Sequence, residues 1–145
     1  MAMFPAKWRL IPLVFLLILA LVACGDAYSN PTPNSDMVKG FKAEPVTNNG
    51  NSANGEKVFN RMPCLSCHTL SGSGGTEANA PALDKIGVTA GTRVAGVSGA
   101  QYIRHILIKP DDASLPNYRK IMPGFANSLT STEMDDLVAY LLSLK

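Results

Sequence analysis

The chain has 145 residues, enough for one domain or one domain with appendages and too few for two full domains. Its 13 basic residues barely exceed its 11 acidic ones, and Lys7 and Arg9 fall in an apolar leader; without them the charges balance. Near neutrality the chain lacks the concentrated positive field that a phosphate backbone requires, which argues against nucleic acid as a partner. Apolar residues make up 46% of the chain, and a large part of them form one run from Leu10 to Ala23.

Residues 1–23 have a positive start, a short apolar stretch and a small-residue ending, the layout of a secretory signal peptide. Fourteen apolar residues rise about 21 Å as a helix, short of the roughly 30 Å hydrocarbon core, so a spanning anchor would be strained. The ending Leu21-Val22-Ala23-Cys24 resembles the lipobox of bacterial lipoproteins. That resemblance implies cleavage before Cys24, a lipid on Cys24, and a place on the outer face of the bacterial cytoplasmic membrane. An uncleaved anchor is the alternative.

From residue 24 to residue 53 the composition turns to Asn, Ser, Pro, Gly and Thr. Such a stretch buries too little apolar area to offset its ordering entropy, and it reads as a flexible, lipid-anchored linker. A coil of this length has a root-mean-square span of about 30 Å and an extended reach of about 95 Å. The alternative is a strap ordered across a partner subunit.

Residues 54–145 form the candidate folded unit, with three main helices expected. The first starts between Ala53 and Gly55, carries Val58 and Phe59, and stops before Pro63. Ser98-Gly99-Ala100-Gln101 is a capping-box pattern opening the second, with Tyr102, Ile103, Ile106 and Leu107 at helical spacing until Pro110. Thr130 to Glu133 is another, opening a third helix with Met134, Leu137, Val138 and Leu141 on one stripe. Asp135 and Asp136 suit its positive end and Lys145 its negative end. No alternating run predicts a sheet. The stretch Ser71 to Gly75 reads as a loop, and no Gly-Lys-Ser/Thr follows it to make a phosphate cradle. Three helices leave a thin core, which implies that a prosthetic group fills the middle.

Cys64-Leu65-Ser66-Cys67-His68 names that group. It is the c-type haem attachment pattern: two thiols bond the porphyrin vinyl groups and the adjacent histidine ligates iron. The cysteine count closes, since Cys24 is the one left over. A thioredoxin-like pair would need a βαβ setting that the pattern lacks. Zinc on Cys64, Cys67, His68 and His105 is disfavoured because consecutive ligands fit one tetrahedral ion poorly.

A sixth iron ligand would come from Met37, Met62, Met122, Met134 or His105. Met62 is too near the attachment segment to reach the opposite face, Met37 lies in the linker and Met134 on the buried stripe. Met122 and His105 remain. Met122 is favoured because Pro123 biases it toward extended backbone, whereas His105 sits inside a helix and reads as a polar-face or core-edge histidine.

With these residues in view, residues 54–145 resemble a class I cytochrome c of the small bacterial kind. The landmarks are Gly55 and Phe59, Cys64 to His68, Pro81 with Leu83, Tyr102-Ile103-Arg104, Met122-Pro123, and Leu137 to Leu141. The resemblance implies an all-α cytochrome c fold wrapped around one covalent haem c. It also implies that Gly55 admits the last helix, Phe59 packs on Leu137 and Tyr140, and the Pro81 carbonyl accepts a hydrogen bond from His68. Arg93, Tyr102 and Tyr118 become candidates for pairing the haem propionates, since buried carboxylates need donors.

Axial histidine and methionine saturate the iron, so the expected role is one-electron transfer in a respiratory or photosynthetic chain, with redox proteins as partners. A peroxidase or gas-binding protein with an open sixth position is the alternative from the enzyme class. The stretch from Tyr102 to Phe125 further resembles the cytochrome domains of terminal oxidases and the monohaem lipoprotein subunit of alternative complex III, departing at His105 and Lys109. A subunit of a quinol-oxidising or oxidase complex is therefore expected, with a free-standing shuttle as the alternative.

Overall fold

The computed structural model describes residues 34–45, 49–112, 115, 118 and 120–145. The chain divides into two units, Met1–Asn30 and Pro31–Lys145. The first lies outside the described residues, and with it the signal peptide and Cys24. Among the described residues no helix is long and apolar enough to cross a membrane.

The described part is mostly helical. Helix α1, Ser35–Ala43, opens under an Asn34 cap whose side chain accepts from the Met37 N–H at 2.8 Å. It is followed by α2, Ser52–Arg61, a 3-10 turn at Pro63–Ser66, and a short helix α3, Ile86–Thr89, that runs into a 3-10 turn at Ala90–Thr92. Helix α4, Gly99–Ile108, is followed by a 3-10 turn at Pro110–Asp112, and α5, Ser131–Ser143, closes the chain.

Two expectations are corrected. Residues 24–53 are not linker throughout: α1 lies inside that stretch, and Phe41 is 1% exposed against the core. Asn34, Asp36 and the spacing of Met37, Val38 and Phe41 give it a cap and an apolar stripe that the surrounding Asn and Pro content masks. A sheet also exists, as β1, Thr69–Leu70, paired antiparallel with β2, Ser73–Gly74. Two residues per strand are too few for an alternation to register. Ser71 and Gly72, at φ 51° and 75°, make the tight turn between them.

The three main helices arise as the sequence implies. At α4 the Gln101 N–H donates to Ser98 Oγ at 3.2 Å and the Ser98 N–H to Gln101 Oε1 at 3.1 Å. At α5 Thr130 and Glu133 repeat the exchange at 3.2 and 2.9 Å. Met134, Leu137, Val138 and Leu141 are all buried. Helices α2 and α5 cross so closely that a Cβ at Gly55 would run into the Asp136 carbonyl and lie 2.7 Å from Tyr140 Cβ. Phe59 fills the space beside this crossing, its ring centroid 5.3 Å from that of Tyr140. The acidic pair at the start of α5 makes specific bonds beyond the dipole role: Asp136 accepts from the Asn51 N–H at 2.6 Å, and Asp135 pairs with Arg104.

Candidate haem site

The α2–α5 crossing sets the floor of a cavity of about 240 Å³, lined by Phe59, Leu137 and Leu141 below. Cys64, Cys67 and His68 line it too, as do Met122, Pro81, Arg93 and Tyr102. Every haem-site residue expected from the sequence and lying within the described residues thus lines one space.

The attachment segment is shaped by short-range bonds. Pro63 starts the 3-10 turn, where its missing N–H is no loss. The Cys64 carbonyl then accepts from Cys67 at 3.3 Å and His68 at 3.0 Å, folding the motif on itself. The β1–β2 hairpin packs against it, with the Gly75 N–H donating to the His68 carbonyl at 3.0 Å and a Gly75 Cβ excluded by the Cys67 carbonyl. Both thiols are half-buried, and burial pushes the Cys64 thiol up from its ordinary range, partly offset by a backbone hydrogen bond.

His68 Nδ1 lies 2.7 Å from the Pro81 carbonyl oxygen. A carbonyl only accepts, so Nδ1 donates and Nε2 carries the lone pair, which makes it the nitrogen fit for a metal. Pro81 is brought there by the Leu83 N–H bonding to the Thr69 carbonyl at 2.9 Å and the Ser71 N–H bonding to Asp84 Oδ1 at 2.7 Å.

Met122 stands on a segment pinned to the end of α4. The Phe125 N–H donates to the Leu107 carbonyl at 2.7 Å, and a Cβ at Gly124 would come within 2.7 Å of the Ile108 carbonyl oxygen. Among the described methionines Met122 alone lines the cavity. His105 does not: its nitrogens face Glu44 and Asp112 at 2.9 and 2.7 Å. Among the described residues no three His, Cys, Asp or Glu side chains converge as a zinc site would require. Burial pushes the Tyr102 hydroxyl up from its ordinary range, and the Arg93 charge partly offsets this. Tyr118 also lines the cavity.

A thiol pair, an imidazole held in one tautomer and a mostly apolar chamber with Arg93 and Tyr102 in its lining fit haem c. Fold and site together define a monohaem electron-transfer domain. The family model described as "Cytochrome c" matches residues 52–145, and the chain belongs to the cytochrome c family, as a class I c-type cytochrome domain with one covalent haem c. No curated protein and no solved structure matches the chain. The family's role is electron carriage, not catalysis.

Sequence reasoning missed α1, the pairing of His105 with Glu44 and Asp112, and the pinning of Gly124 and Phe125. Only α1 had a readable signal, its Asn cap and apolar stripe.

Proposed function

We propose that the chain is a lipid-anchored monohaem cytochrome on the outer face of the bacterial cytoplasmic membrane, and a subunit of a quinol-oxidising or oxidase complex. Haem c, when bound, supplies a one-electron couple. Cys64 and Cys67 would hold the porphyrin, and His68 would ligate the iron through Nε2, its ring fixed by Pro81. Met122 would supply a soft thioether that favours the reduced state and keeps other ligands out. Arg93 and Tyr102 would provide donors for the propionates.

The observation that carries this reading is the cavity shared by the attachment motif and Met122. Loss of the sulfur-to-iron charge-transfer band from the ferric spectrum in Met122→Leu tests it. A high-spin ferric spectrum in the unmutated protein would overturn the methionine assignment.

The anchor rests on the Leu21-Val22-Ala23-Cys24 sequence. Ten residue steps separate Cys24 from the Asn34 cap of α1, a reach of at most about 35 Å. So short a tether keeps the haem near the bilayer, and a balanced charge offers little steering toward a diffusing partner. Both favour stable association over long excursions. Mass spectrometry of the mature N-terminus should find a diacylated Cys24 that Cys24→Ser lacks. Detergent extraction and sizing should find the chain in a large assembly, and a lone small haem protein would leave the shuttle.

A further inference from the structure

His105 belongs to the wall of neither the cavity nor the surface. It is 1% exposed, its ring 4.2 Å from that of Phe41, and it joins three elements. Nδ1 meets Glu44, the residue that caps α1, and Nε2 meets Asp112, the last residue of the 3-10 turn after α4. An imidazole has two ring nitrogens, and here a carboxylate oxygen lies within hydrogen-bond distance of each, so this one side chain ties two other segments to its own helix.

The two ends of this bridge differ in what they hold. On one side α1 lies outside residues 52–145, which the family model covers, yet its Phe41 stacks on cavity-lining Tyr102 at 5.6 Å and 5°. On the other side, the turn at Pro110–Asp112 is tied to α4 by the Lys109 N–H to the His105 carbonyl at 2.6 Å and the Asp112 N–H to the Lys109 carbonyl at 3.1 Å. Ile108 and Pro110 in turn form the bed against which Gly124 lies, two residues from Met122.

We propose that His105 is a positioning residue that links the docking of α1 to the segment carrying Met122, so that the N-terminal arm of this chain sets how firmly the sulfur is held over the cavity. The spectroscopic half of this rests on Met122 being the sixth ligand, as proposed above; the mechanical half does not. A histidine with a purely structural role would weaken every element alike when its partners are removed. A linking histidine weakens the Met122 segment selectively, even when the change is made in α1.

The test uses the full-length haem-loaded protein with Glu44→Gln, a change outside the site that preserves size, and His105→Gln as a second variant. Amide hydrogen exchange is followed at Phe125, whose N–H is held by the Leu107 carbonyl, and, for reference, at Val138 and Leu141 in α5. Losing one carboxylate hydrogen bond should speed exchange at Phe125 about tenfold while leaving α5 unchanged. On heating, the gap between loss of the ferric sulfur-to-iron band and loss of the far-ultraviolet helix signal should also be wider in both variants than in the unmutated protein. Exchange that stays unchanged, or that rises equally in α5, overturns the linkage. A band missing already from the unmutated protein would overturn the Met122 assignment instead, and the exchange data alone would then decide for or against the link.

Discussion

The two walls of the haem cavity are built on opposite plans. Around Cys64 to His68 the bonds are local: the Cys64 carbonyl gathers two N–H groups, Gly75 reaches back to His68, and Pro81 lies only 13 residues from the ring it orients. Around Met122 the bonds are distant: Phe125 is tied to Leu107, and beyond that bed His105 reaches Glu44 across 61 residues of sequence. A wall closed by its own segment forms whenever that segment forms. One closed at a distance depends on several elements staying docked, and such regions open first.

Both walls rest on the α2–α5 crossing, so the comparison is broken most completely there. Gly55→Val would drive a branched side chain into the Asp136 backbone carbonyl, which cannot turn aside as a side-chain tip could. We expect a loss above about 4 kcal/mol, the range of severe core collisions. Circular dichroism should show no cooperative unfolding transition, and the exported chain should carry little haem. A well-folded, haem-loaded variant would mean that the helices are free to separate.

Two glycines sharpen the contrast between the walls. At Gly124 an added methyl meets the Ile108 carbonyl oxygen at 2.7 Å. Gly124→Ala should cost about 1–3 kcal/mol as overpacking and weaken the sulfur-to-iron band well before the helices melt. At Gly72 the space is open but φ is +75°. Gly72→Ala should therefore cost about 1 kcal/mol through backbone strain alone, lowering the melting temperature a few degrees with the band intact. Equal effects on the band would erase the distinction between local and distant closure.

The same contrast explains what could be read from sequence. The five-residue attachment motif, the two capping boxes and the stripe of α5 are local patterns, and each is visible without knowing what lies opposite. Met122 was reachable because Pro123 marks its backbone and because competing sulfurs fail on position. His105 could be read only as a core-edge histidine: nothing local joins it to Glu44 or Asp112. For α1, the Asn34 cap and the Met37, Val38 and Phe41 spacing were present, but a window dominated by Asn, Ser and Pro averages them away. Its stability comes from Phe41 finding Tyr102 and His105, a tertiary fact.

The smallest expected effect separates the two capping boxes, one neutral at Ser98 and Gln101, one charged at Thr130 and Glu133. Glu133 is held well below its usual value of 4.5, at about 2, first by the Thr130 N–H and then by the Arg61 guanidinium at 2.6 Å and the Thr130 hydroxyl. A carboxyl whose folded value is depressed stabilises the fold above its unfolded value and loses that contribution as pH falls toward the folded one. The stabilisation is therefore full above about pH 4.5 and fades between there and about pH 2. Gln keeps the reciprocal cap, as Gln101 demonstrates in α4, but carries no charge to titrate. The melting-temperature difference between the unmutated protein and Glu133→Gln should thus be small, favour the unmutated protein near neutrality, and close across that acid window. Gln101→Glu should create such a window at α4, where none is expected now. Parallel pH curves for the unmutated protein and Glu133→Gln would show that the α5 cap holds its glutamate by geometry alone.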